Sequence, residues 1–162
     1  MEQYQFDDNK VILKVKQSPI LVRVFMFTFA FLFFLMPLTG IFVYMSFGNR
    51  FHIGFLFGLF FFGIMGFYLL RIAFWNTYGR EIISFQHNNI SYIADYGWFK
   101  DGEKQKEINE LNMFSLRQIG YEEEQKGTLV IGNTDPILCV TKMPIEELKG
   151  LIDQLNNKEN IA

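Results

Sequence analysis

Two stretches of this chain carry no charge at all, and they limit what it can become more than any other feature. Val24 to Asn49 is a run of 26 residues without Asp, Glu, Lys or Arg, and Phe51 to Leu70 is a second run of 20. Sixteen of the 20 Phe fall between Val24 and Trp75, so neither run has a polar face to turn toward water. A helix rises about 1.5 Å per residue, so about 20 apolar residues match the roughly 30 Å hydrocarbon core of a bilayer. Two buried helices of a soluble bundle are the alternative, and a helix apolar on every side would find too little protein here to cover it. A secretory leader fits poorly, because 23 residues that include three acids precede the first run.

Local signals frame the two helices. Ser18-Pro19 predicts a start, with Ser18 capping the free amides and Pro19 in the first turn, where its missing N–H is harmless. The first helix is expected to reach about Met45, and Pro37 inside it predicts a kink or local unwinding near the far end. Ser46 to Arg50 is a short turn, which makes the two helices antiparallel neighbours, and the second is expected over about Phe51 to Phe74. Lys10, Lys14, Lys16 and Arg23 flank the first run and Arg71 and Arg80 the exit of the second, against Arg50 alone in the turn. This bias predicts both termini in the cytoplasm of a plasma (inner) membrane. Lys14, Lys16, Arg23, Arg71 and Trp75 are the expected membrane-interface anchors, Arg71 from the last helical turn.

The remainder reads as a polar domain. From Asn76 to Ala162 there are nine Lys and Arg against fourteen Asp and Glu, a net of -5. Arg80 to Gln86 alternates, with Ile83 and Phe85 on one face. His87-Asn88-Asn89 reads as a turn and Ile90 to Asp95 as the returning strand. Asp101-Gly102 is a further turn candidate, Glu107 to Gln118 is ambiguous with a strand near Met113 to Leu116, and Glu122 to Glu124 marks an exposed turn. Thr128 to Ile131 and Ile137 to Lys142 are expected strands. Ile145, Leu148, Ile152 and Leu155 then recur at helical spacing and predict one closing amphipathic helix. Lys10 to Lys16 looks like a strand ahead of the first helix, able to join the same sheet.

This order of elements resembles a bacterial family of small membrane proteins with a pleckstrin-homology-like (PH-like) cytoplasmic domain. The resembling stretches are Asp8 to Phe27, Trp75 to Phe85 (WNTYGREIISF), Lys106 to Leu116 (KEINELNMFSL) and Gly127 to Leu155. The resemblance implies an α+β membrane protein: a two-helix transmembrane hairpin plus a small antiparallel PH-like sheet closed by a C-terminal helix. Its expected parts are an N-terminal segment over 1–18, the hairpin over 19–75 and the PH-like domain over 76–162. It implies an anchored adaptor and no shared reaction.

Candidate sites are few. Gly54, Gly58, Gly66 and Ala73 fall on roughly one face of the second helix, with Gly54 and Gly58 as a GxxxG pair. Small residues let helix backbones approach closely in lipid, so this is a packing seam, either for the first helix or for a second copy or partner. The Phe cluster lacks the His or Cys ligands that a haem or metal would want at that depth, so no cofactor is expected. His52 and His87 stand alone, and Cys139 reads as a small hydrophobe buried on a strand. A net charge of -2 argues against nucleic acid. Lys100, Lys104 and Lys106 interleave with Asp101, Glu103 and Glu107, which gives no cationic cluster for a polyanionic headgroup. The expected function is a non-enzymatic membrane adaptor or accessory subunit whose partners are membrane lipid and other membrane proteins or further copies of itself. A subunit of an oligomeric transporter or channel and a lipid- or quinone-acting membrane enzyme are the alternatives.

Overall fold

The computed structural model of the protein describes residues 3–86, 88–107, 113–121 and 124–159. It is an α+β chain of two compact units. Residues 17–77 form one, and residues 1–16 with 78–162 form the other.

The first unit is a pair of long helices, α1 (Ile20–Ser46) and α2 (Gly54–Tyr78). Their lengths come to about 40 and 37 Å at the rise of a regular helix. Both are long and apolar enough to cross a membrane. α1 runs through Pro37 without a break. Ser18 does not cap it: Pro19 holds the cap position, and the Ser18 hydroxyl donates instead to Asn76 Oδ1 at 3.0 Å. Gln17 Nε2 donates to the Thr77 carbonyl at 3.1 Å, so the entry to α1 is tied to the end of α2. Further along, Phe27 meets Phe74 edge-on at 5.4 Å, Phe33 meets Phe62 at 5.8 Å and Tyr44 meets Phe55 at 5.2 Å, an antiparallel order. Ala30, Gly66, Ala73 and Thr77 are the buried positions of the two helices.

The second unit begins before the helices and resumes after them. β1 (Tyr4–Asp7) and β2 (Lys10–Lys14) precede α1; β3 (Arg80–Gln86), β4 (Asn89–Asp95) and β5 (Lys100–Glu107) follow α2, and the five pair antiparallel in chain order. Val11 and Leu13 of β2 alternate with outward Lys10, Ile12 and Lys14, which is why KVILK forms a half-buried strand. β6 (Phe114–Gln118), β7 (Lys126–Ile131), β8 (Ile137–Leu138) and β9 (Met143–Pro144) make a second antiparallel sheet around β7. α3 (Ile145–Glu159) packs on β6, β7 and β9 through Leu148, Leu151 and Leu155. One apolar core lies between Val11, Leu13, Ile83 and Ile90 of the first sheet, Leu129 and Ile131 of the second, and α3.

Several expectations are corrected. The strands form two sheets rather than the one small sheet expected, α3 packs on the second of them, and among the described residues neither β1 nor β5 pairs with that second sheet. Asp101-Gly102 lies inside β5, and the turn falls at Tyr96 to Phe99, where Gly97 takes φ +88. β5 (KDGEKQKE) is exposed along most of its length and so has no apolar alternation to mark it. Only Ile137–Leu138 of the expected strand over 137–142 is paired as β8. α2 extends to Tyr78, so Arg71 lies about two turns before its end rather than in its last turn. His87, Ile108, Leu111, Glu122 and Glu123 lie outside the described residues.

Candidate functional site

The outer face of the five-stranded sheet carries a groove of about 400 Å³. Strand register builds it. Lys14 pairs with Arg80, Arg80 with Asp95, and Asp95 with Lys100, so one row across β2 to β5 presents three cations and one acid. Residues opposite one another in a pleated sheet point to the same side, and those two positions along a strand do likewise. The next row therefore adds Ile12, Ile82 and Ile93, all half-buried, as an apolar floor. Arg80 Nε and a terminal guanidinium nitrogen both reach Asp95 Oδ2 at 2.9 Å, while Asp95 Oδ1 accepts from the Gly97 amide at 2.8 Å. Lys14 Nζ donates to the neutral Gln5 Oε1 at 3.0 Å. Trp98, Phe99 and Lys100 wall the groove at the β4–β5 turn.

Behind this face sits a buried polar knot. Glu81 is fully buried on the inner side of β3, in phase with Ile83 and Phe85. Its Oε1 accepts from Tyr92 Oη at 2.5 Å and from the Val140 amide at 2.7 Å, and its Oε2 from the Thr141 amide at 2.8 Å. One carboxylate thus ties β3 and β4 to the segment that follows β8. Thr128 Oγ1 donates to the Cys139 carbonyl at 2.5 Å and lies 3.1 Å from the Thr141 carbonyl, which fixes that segment from the β7 side. Burial, followed by the Glu81 charge, pushes the Tyr92 phenol far above its usual range, and the same two causes hold the Cys139 thiol well up. A thiol so placed is a poor nucleophile at neutral pH. Glu81 was findable: an acid in the core phase of an alternating strand demands buried donors.

The glycine-rich face of α2 divides in two. A Cβ at Gly66 would lie 2.8 Å from the Phe34 ring, and Ala73 is fully buried, so these two serve the packing of α1 on α2. Gly54 and Gly58 have open space where a Cβ would go, as do Gly40 and Gly63. Lys16 is exposed, whereas Arg23, Arg71 and Trp75 are half-buried. The Arg23 Nε is enclosed without a hydrogen-bond partner among the described residues. Cys139 is buried, just past β8. Among the described residues no three His, Cys, Asp or Glu cluster as a metal site would require.

No family model matches the chain, no curated protein does, and no solved structure does.

Proposed function

We propose that the chain is an integral membrane adaptor or accessory subunit, without enzymatic activity, in which α1 and α2 span the bilayer and the β domain binds partner proteins. The carrying observation is the contrast between its two units. α1 and α2 leave large side chains such as Phe42, Phe57 and Phe60 more than 70% exposed, while the β unit closes a dry core of its own. Each exposed Phe forfeits roughly 1.5–3 kcal/mol of burial in water, and the 24 large apolar side chains exposed along the two helices are tolerable only in an apolar solvent. The order of two antiparallel sheets followed by one amphipathic helix supports a PH-like reading of the β domain. The open sheet edges support partner binding. The charge bias across the helix ends supports cytoplasmic termini in a bacterial inner membrane.

The test is purification of the tagged full chain in a mild detergent. A partner at fixed stoichiometry, or a defined oligomer, is expected; a monodisperse chain with no companion overturns the reading. The open space over Gly54 and Gly58 favours a second reading, a subunit of an oligomeric transporter in which copies meet along that face of α2. That reading requires flux through liposomes carrying the oligomer, and silence there removes it.

A further inference from the structure

The β4–β5 turn is held firmly yet displays the largest apolar side chain available to it. The Tyr96 amide donates to the Phe99 carbonyl at 2.9 Å, the two rings stack at 4.6 Å with 10° between their planes, and Asp95 anchors the Gly97 amide. Gly97 runs so close to Tyr78 that a Cβ would come within 2.7 Å of the Tyr78 Cβ. This fixed turn leaves Trp98 78% exposed. A tryptophan that exposed on a turn so fixed offers most of its ring to whatever borders the turn.

Chain connectivity fixes where that contact is made. Tyr78 is the last residue of α2, and Gly79 alone separates it from Arg80. Residues 15–19 alone join Lys14 to Ile20, the first residue of α1. A residue extends the chain by at most about 3.5 Å, so Arg80 lies within roughly 7 Å of the end of α2, and Lys14 within roughly 20 Å of the start of α1. The register row of Lys14, Arg80, Asp95 and Lys100 is therefore the edge of the sheet from which both helices depart. The region from Asn76 onward is acidic overall, yet this edge holds three cations to one acid, with Lys16 beside it. An indole flanked by cations is the composition favoured at a bilayer surface, where the ring sits among headgroups and Lys and Arg meet lipid phosphates.

We propose that this edge of the five-stranded sheet is a second membrane contact, with Trp98 seated among the headgroups and Lys14, Lys16 and Lys100 facing anionic phospholipid. The proposal rests on the reading that α1 and α2 span the bilayer. It holds the β domain against the lipid surface, so the domain is fixed to the bilayer by more than its two short chain connections to the helices.

The chain has two tryptophans, Trp75 and Trp98, and each can be read alone. Full-length Trp75→Phe and Trp98→Phe are reconstituted into phosphatidylcholine vesicles with and without phosphatidylglycerol, and quenched by lipids brominated near the headgroup or by aqueous iodide. In Trp75→Phe, Trp98 is expected to be quenched by the brominated lipid. Phosphatidylglycerol should lower its iodide quenching at least twofold, and Lys14→Gln with Lys100→Gln should restore it. If Trp75 is quenched by lipid while Trp98 answers only to iodide, the second contact is wrong and the spanning helices stand. If Trp98 is shielded from both quenchers, a protein covers the edge and the lipid assignment falls. If neither tryptophan responds to brominated lipid, the spanning reading and this one fall together.

Discussion

Glu81→Ala is the sharpest test of how the β domain is held together. The carboxylate has no exposed surface and satisfies a phenol and two backbone amides contributed by β4 and the segment after β8. Alanine leaves all three donors in a dry site. At about 1–2 kcal/mol for each stranded donor, the gross loss is about 3–6 kcal/mol. Part of this is recovered because a carboxylate no longer has to be dehydrated on folding, leaving about 2–4 kcal/mol. The fraction of open molecules should then rise roughly 30- to 800-fold, since about 1.4 kcal/mol is tenfold. Cys139 supplies the assay, because it is the chain's single cysteine and is 3% exposed. Full-length protein in mild detergent is labelled with a neutral thiol reagent across a urea series. Glu81 also raises the Cys139 thiol, so its removal changes intrinsic reactivity by a factor that does not depend on urea; opening is read from the shift of the urea-dependent limb. Glu81→Gln, which keeps one acceptor but sets an amide group against a donor, should fall between wild type and alanine. Superimposable urea curves for wild type and Glu81→Ala would refute the idea that this side chain ties the two sheets.

Alkaline pH should weaken the same domain. Tyr92 and Cys139 both have folded-state pKa values raised above their ordinary ones, so the stability they contribute together is complete only below about pH 8, under the ordinary thiol value. It is lost as pH rises, first for the thiol and then for the phenol, because the unfolded chain releases protons that the folded chain retains. Each group should add a slope of about 1.4 kcal/mol per pH unit, read from urea midpoints between pH 8 and 11. Gly97→Ala combines a φ of +88 with a 2.7 Å clash and should cost about 2–4 kcal/mol by the same urea assay. Gly102→Ala, at φ +69 with open space around it, should cost about 1–2 kcal/mol; equal losses would mean that the Tyr78 contact is unimportant. Gly66→Leu should lower the thermal midpoint of the helical hairpin in detergent, because it drives a side chain into Phe34, whereas Gly58→Leu should leave that midpoint within a degree or two. If Gly58→Leu does as much harm, the two halves of the glycine-rich face are not distinct.

What the sequence declares depends on how each element is solvated. α1 and α2 are legible because a continuous apolar run needs no periodicity to stand out, and β3 is legible from its strict alternation. β5 hides because an exposed edge strand has no buried face, and its charges read as a turn around Gly102. β1 hides because YQFD is short and its Tyr4 and Phe6 are only half-buried against the core. The Lys100 to Glu107 stretch looks electrically neutral as a string. The register sorts it, sending Lys100 into a cationic row with Lys14 and Arg80, residues far away in the chain. The break into two sheets is a long-range pairing choice, and nothing local in the connection between β5 and β6 announces it.

The partnership of β2 with β3 has a consequence for how the protein comes into being. These neighbouring strands belong to opposite ends of the helical pair, and the ladder continues past them where the Val15 amide meets the Gly79 carbonyl at 3.1 Å. Strand two must wait, with Val11 and Leu13 bare, until the ribosome has finished everything up to Gln86. If the helices cross a bilayer, that wait can end only when the chain has crossed and come back, because strands on opposite sides can never zip. The ladder therefore acts as a proofreading latch on topology. A molecule threaded with its ends on different sides would leave a broken core for proteases and chaperones to find.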